Sequence, residues 1–181
     1  GQPLIAVLNL FGTVAPRMNM VMEYSGGTST ELFGKAFQVA LADDAVTAIV
    51  LNVDSPGGAV PGVKELGDLI YESRGAKPIV SVVNHMAASA AYWIATAADE
   101  VVAAPSAVDI GHIGVVRLHV EHSQRHAQEG DTWEVIRSVP AKFEGNDLEP
   151  LSEGARAHWQ AEVATLHQAF EGAVARNMGV D

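Results

Sequence analysis

The chain has 181 residues, with 22 acidic side chains against 11 basic ones, a formal charge of −11, and no cysteine. The missing cysteines exclude thiol proteases, CxxC redox chemistry and cysteine-ligated zinc, and the acidic balance with unclustered cations argues against a nucleic-acid partner. Hydrophobic residues make up 48% and charged ones 18%, so a sizeable apolar interior is expected, in one domain spanning residues 1–181.

Leu4 to Leu10 is a continuous run rich in branched residues, which suits a strand buried on both faces. Ala15 to Ser29 has no period and reads as a loop, in which Met18, Met20 and Met22 alternate either as an adaptable substrate groove or as an edge strand. Thr28 and Glu31 have capping-box spacing, and a helix is expected from there to about Ala42. Ala48 to Val53 is a second buried strand, broken by Asp54-Ser55-Pro56-Gly57-Gly58, and Gly62 to Ser73 is helical through Val63, Leu66 and Ile70. Ile79 to Val83 is a third strand, Met86 to Ala97 a helix and Val101 to Ala103 a short strand. The apolar stretch Met86 to Ala98 is thirteen residues, where a bilayer asks for about 20, so a buried helix and no membrane segment is expected.

Ile113 to Leu118 and Trp133 to Val139 read as strands around a polar helix over Val120 to Glu129. Ser152 is the expected N-cap of a final helix, about 152–178, whose stripe of Trp159, Val163, Leu166, Phe170 and Val174 is long enough to pack in part on a neighbouring protomer. Strands alternating with helices imply an α/β fold with a parallel sheet.

Three places bear on chemistry. The paired glycines after the second strand free the backbone to present N–H groups to an oxyanion, or simply make a type II turn. Ser89 is a hydroxyl among small residues where a strand feeds a helix, either a nucleophile or a packing residue or N-cap. His119, His122 and His126 recur at helical steps, as a metal-binding row or, the favoured reading, a solvated face lacking further ligands.

Taken in order, several motifs resemble peptidase family S49, the signal-peptide-peptidase A group with a ClpP/crotonase-like fold, and most closely its short bacteriophage head-maturation branch. They are Asp54-Ser55-Pro56-Gly57-Gly58, Ala87 to Ala95, Ala98-Asp99-Glu100-Val101-Val102, Ile113-Gly114-Val115, Ala141 to Asn146 and Leu151-Ser152-Glu153. The resemblance implies an α/β sheet of repeated strand-strand-helix units and a serine endopeptidase with a Ser-Lys dyad. Ser89 matches the nucleophile and Lys142 the general base, with the Gly58 and Ala90 amides as the oxyanion hole.

A lysine accepts a proton only when neutral, so Lys142 needs desolvation. Val139, Pro140 and Phe143 offer an apolar pocket, whereas Glu144 and Asp147 would hold the ammonium charged if they faced it. The family's Gly-Ser-Ile-Gly-Val element here reads Gly111-His112-Ile113-Gly114-Val115, which makes His112 an alternative base, an orienting residue or a structural histidine. The resemblance further implies a protein substrate such as scaffold or capsid protein, a homo-oligomeric ring, an assembling procapsid in the host cytoplasm as the location, and neither cofactor nor metal. Two other readings stay open. One is a cellular signal-peptide peptidase attached to the membrane through a segment missing here, and the other is a peptide-binding ring without turnover.

Overall fold

The computed structural model describes residues 2–18 and 26–180, so Met20 and Met22 lie outside the described residues. Two compact units can be told apart, one of residues 1–114 with 169–181 and the other of residues 115–168.

In the first unit β1 (Leu4–Ala15), β3 (Val46–Gly58), β4 (Ile79–Ala88) and β5 (Glu100–Ala103) lie side by side and parallel, with β2 (Thr28–Ser29) outside β1. β6 (Ile110–Gly111) pairs with the carboxyl end of β4, beyond the reach of β5. Helices α1 (Thr30–Ala42), α2 (Val63–Glu72) and α3 (Ala90–Thr96) connect the strands, as the alternation in the sequence requires.

The strand period decides which side chains enter the core. Leu10 and Val14 of β1, Ile49, Leu51 and Val53 of β3, and Ile79, Ser81 and Val83 of β4 are buried, against Phe33 and Phe37 of α1, Leu66 and Ile70 of α2, and Trp93 and Ile94 of α3. The intervening residues form the opposite face. There Asn84 Nδ2 donates to Asn52 Oδ1, and Asn52 Nδ2 donates to Asn9 Oδ1, each at 2.9 Å, so three strands share an asparagine ladder.

Several local expectations are corrected. The N-cap of α1 is Ser29, whose hydroxyl accepts from Leu32 N–H at 3.3 Å. Thr28 is engaged by β1 instead, accepting from Phe11 N–H and donating to Phe11 O. The segment Asp54 to Gly58 does not break the second strand: β3 absorbs it through a register shift between Val53 and Ser55 and pairs Gly57 and Gly58 with Thr13 and Val14. Met86 to Ala88 belongs to β4, and the helix starts after Ser89, because Ser55 and Ala87 still pair there and hold the backbone extended.

The end of the final helix α5 (Glu153–Met178) belongs to this unit. Phe170, Ala173 and Val174 are buried, and Phe170 stacks on Trp93 with ring centroids 4.7 Å apart, worth about 0.5–1.5 kcal/mol beyond the area buried. Arg74 seals the junction, donating to the carbonyls of Thr96, Ala97 and Ala98 at the end of α3 and to that of Asn177 in α5. Asn177 Nδ2 donates to Thr96 Oγ1. This part of the apolar stripe therefore packs within its own chain.

The segments 113–118, at the start of the second unit, and 133–139 within it are not strands: among the described residues none pairs with them, and a strand without a ladder is only exposed chain. Val116 and Leu118 are about four-fifths exposed and Ile136 is 91% exposed. Helix α4 (Ser123–Glu129) takes only the last part of the expected polar helix. Ser152 caps α5, accepting from Ala155 N–H at 3.0 Å. The Trp159 ring lies under the Arg117 guanidinium at 3.8 Å, with His119 edge-on.

Candidate active site

Ser89 occupies the single residue between β4 and α3, with φ 52° and ψ −124°. That backbone conformation is strained for any residue but glycine, by about 1–3 kcal/mol, and such strain persists only where the surroundings enforce it. The enforcing contacts are specific. Ser89 N–H donates to Gly111 O at 2.8 Å, and Ser89 O accepts from Trp93 N–H at 3.1 Å, the first turn of α3. The hydroxyl makes no capping bond, so it is not consumed by the helix it precedes. Buried Ala87, Ala88, Ala90 and Ala91 surround the half-buried serine with small groups.

The glycine pair of β3 presses against this turn. Gly57 has φ 94°, and a methyl group on it would sit 2.7 Å from Ala88 O and 2.8 Å from both Ala90 N and Ser89 Cβ. A methyl group on Gly58 would meet Val14 O at 2.0 Å. Both positions need glycine because backbone approaches backbone. The motif therefore brings its two glycines against β1 and the Ser89–Ala90 peptide.

Ser55, part of the motif but without a role in the sequence reading, is structural. It is fully buried, donates to Gly12 O at 2.5 Å and accepts from Gly57 N–H at 3.1 Å, fixing the strand edge that carries the glycines. A serine two residues ahead of a glycine, able to bond that glycine's N–H, was the available signal. A groove of about 500 Å³ lies between α1 and α2, lined by Thr30, Glu31 and Gly34 of α1, Glu65 and Leu66 of α2, and by Pro16 and Gly62, and it includes neither the glycine pair nor Ser89. Glu31 has its carboxyl held below the usual range by hydrogen bonds from Lys35 and Arg17.

His112 follows β6, whose Gly111 is register-paired with Ala88 and hydrogen-bonded to Ser89. It too has a left-handed φ, 56°, as does Asp109 at 50°. His112 Nε2 lies 3.5 Å from Asp109 Oδ1.

Lys142 belongs to the second unit, in a turn where its N–H donates to Val139 O at 3.0 Å. Its side chain is exposed, as are Val139 and Phe143, so the expected apolar pocket is not formed within this chain. The two carboxylates that threatened to hold its ammonium face elsewhere: Glu144 accepts from Ser152 Oγ, and Asp147 faces His122 Nδ1 at 3.4 Å. Asn146 stitches the loop together, donating to Phe143 O and Glu149 Oε1 and accepting from Leu148 N–H.

The histidine row is dissolved by the shorter α4. His119 bonds the Asn146 carbonyl, His122 sits at the N-cap, and only His126 is helical. Donor atoms of His126, Glu129 and Asp131 lie within 4.8 Å of one another, with Arg125 already paired to Glu129.

A family model described as "Peptidase family S49" matches residues 72–181. The head-tail preconnector protein GP5 of Enterobacteria phage P21 is 33% identical over 97% of this chain and 35% of its own length. Capsid assembly protease C of Escherichia phage lambda is 31% identical over 97% of this chain and 40% of its own length, and Protease 4 of Salmonella typhi 38% identical over 72% and 20%. The chain thus spans well under half the length of these curated relatives. Among solved structures, a mutant of the 1510-N membrane-bound stomatin-specific protease is similar at 19% identity and TM-score 0.46, covering 93% of this chain and 64% of the other, a likeness too slight to add to the argument. With over half the chain matched, from the last residue of α2 through the Ser89 turn and the Lys142 loop to the end of α5, the chain belongs to peptidase family S49.

Proposed function

We propose that this chain is the catalytic part of a serine endopeptidase that acts on scaffold or capsid protein during phage head assembly, inside a procapsid in the host cytoplasm. The observation that carries the enzymatic reading is the Ser89 turn: a strained serine, its hydroxyl uncommitted, locked between Gly57 and Gly111. Strained backbone of this kind clusters at functional sites, and nucleophiles presented at a strand-to-helix elbow adopt it. The two capsid-related relatives, similar along almost the whole chain, support the substrate class.

In this reading Ser89 Oγ attacks the scissile carbonyl and Lys142, neutral, takes its proton and returns it to the leaving amine. The amides of Gly58 and Ala90 bind the oxyanion, each worth about 2.7–4 kcal/mol of transition-state stabilisation. The exposure of Lys142 supports a further element, a neighbouring protomer of a ring that covers the lysine and lowers its proton affinity.

The test is labelling with a fluorophosphonate probe, read by mass spectrometry on the intact protein and its peptides. The probe should attach at Ser89 in the wild type and not in Ser89→Ala. Mixing Ser89→Ala with Lys142→Ala subunits should restore hydrolysis of dye-quenched casein if protomers share a site. An unlabelled wild-type Ser89 in the assembled protein would refute the enzyme reading in favour of a peptide-binding ring.

A further inference from the structure

Helix α4 ends at Glu129, and Gly130 follows it with φ 89° and ψ 6°, the left-handed turn that closes a helix. The turn sends the chain back over the last coil: Gly130 N–H donates to Ala127 O, and Asp131 N–H donates to His126 O at 2.9 Å. His126 and Glu129, three residues apart, share one helix face, and the reversal brings Asp131 beside them. One donor atom from each of these three side chains lies within 4.8 Å of the other two. Donors around a tetrahedral ion at about 2.0–2.2 Å stand roughly 3.3–3.6 Å apart, a difference that side-chain rotation spans.

The bonding of the three groups leaves them able to take a ligand. The half-buried His126 ring is held edge-on by Trp133 and by His122, with centroids 5.8 and 6.5 Å away, yet its buried Nδ1 has no hydrogen-bond partner among the described residues. A buried nitrogen left unpaired costs about 1–3 kcal/mol, and an ion with its water shell supplies the kind of partner that is missing. Asp131 is exposed and enters no ion pair among the described residues. Arg125 Nε donates to Oε1 of Glu129 at 2.9 Å, which leaves the second carboxylate oxygen. The surroundings give an ion something to stabilise. Among the described residues of 115–168 only Ala155 is fully buried, and α4 buries none. A unit with so little apolar interior is of the kind that a structural ion holds together.

We propose that His126, Glu129 and Asp131 bind a divalent ion of the zinc class, with water completing its shell, and that the ion fastens the end of α4 to the chain running on toward Trp133. One imidazole nitrogen and two carboxylates suit zinc or a similar first-row ion, whereas magnesium and calcium prefer oxygen ligands throughout. The two carboxylates match the two positive charges of the ion. Of the three histidines that a longer helix would have aligned, the site uses only His126. It stands independently of Ser89 and of the proteolytic reading.

The experiment is calorimetric titration of Zn2+ into the full chain after chelator treatment, buffered above the roughly 6.5 at which free imidazole protonates. The wild type should take up one ion per chain and melt at a higher temperature as Zn2+ rises, since only the folded chain presents the set. Asp131→Asn removes an exposed carboxylate while leaving the turn and the ring contacts of His126 in place, and should weaken binding at least tenfold and abolish the melting shift. Glu129→Gln and His126→Gln should do the same. His158→Gln removes an ordinary surface pair, His158 with Glu162 at 3.4 Å, and should leave the affinity unchanged. Zn2+ binding indifferent to Asp131→Asn, or weakened as much by His158→Gln, would overturn the proposal, as would Mg2+ binding as tightly as Zn2+. A wild type that takes up no Zn2+ would overturn it too, and would leave the reading of Ser89 untouched.

Discussion

Gly57→Ala tests whether the Ser89 turn is enforced by its neighbours. The added methyl group meets Ala88 O, Ala90 N and Ser89 Cβ, all closer than 3.0 Å, and two of these atoms are backbone held in β4 and α3. The positive φ alone costs an L-residue about 1–2 kcal/mol, and forcing a methyl group into closed packing adds about 1–3 kcal/mol. Gly75 separates the two effects, because its φ of 82° is similar but no atom lies within 4 Å of its methyl position. Urea unfolding followed by tryptophan fluorescence should give Gly75→Ala the backbone cost alone, about 1–2 kcal/mol, and Gly57→Ala about 2–5 kcal/mol. Ser89 labelling should be unchanged in Gly75→Ala and fall sharply in Gly57→Ala, as the Ser89 turn is pushed aside. Equal stability losses in the two variants, within about 0.5 kcal/mol, would show that the glycine is not what holds Ser89 in place.

Two further outcomes are expected. Ser89→Gly should raise stability by about 1–3 kcal/mol in the same urea titration while abolishing labelling, because the strain at φ 52° disappears with the side chain; a loss of stability would refute the strain. Asp68 is partly buried, which opposes ionisation, yet hydrogen bonds from Lys64 and Arg176 prevail and hold its carboxyl below the usual range. Its contribution is present above the unfolded value of about 3.9 and is lost as pH falls through the lower folded value, so Asp68→Asn should flatten the acid limb of a stability–pH profile and weaken the protein at pH 7.

How far the sequence led can be judged at individual residues. Buried runs such as Ala48 to Val53 and Ile79 to Val83 announce themselves, since a parallel sheet covered by helices needs apolar strands. Their ends do not. Gly57 and Gly58 read as a turn because glycine is the usual means of turning, whereas here it serves the close approach of β1 and the Ser89 peptide, a tertiary fact invisible to local pattern. Met86 to Ala88 carry alanine and look helical, yet the ladder with Ser55 and β6 overrides that propensity. In the second unit the branched residues of 113–118 promise a strand that finds no partner among the described residues. Ser89 stood out locally as a hydroxyl among small residues, and the order of motifs was what favoured a nucleophile over a packing residue or N-cap, whereas the positive φ of Asp109 carried no sequence signal at all.

The Arg74 clamp and the Phe170 stack also constrain when this protein can fold. Residues 169–181 are made after every other part of the first unit, yet they close over Trp93 and supply one of the four carbonyls that Arg74 gathers. Sheet and helices up to β6 can assemble as they emerge, since their contacts are mutual and lie within the first 114 residues. The indole of Trp93, four residues beyond Ser89, has α2 at its edge from the start but lacks the Phe170 ring on its face until the far end of α5 arrives. A nascent chain thus carries its Ser89 turn, already held by Gly57 and Gly111, on a helix whose Trp93 gains its Phe170 partner only when synthesis has reached the far end of α5.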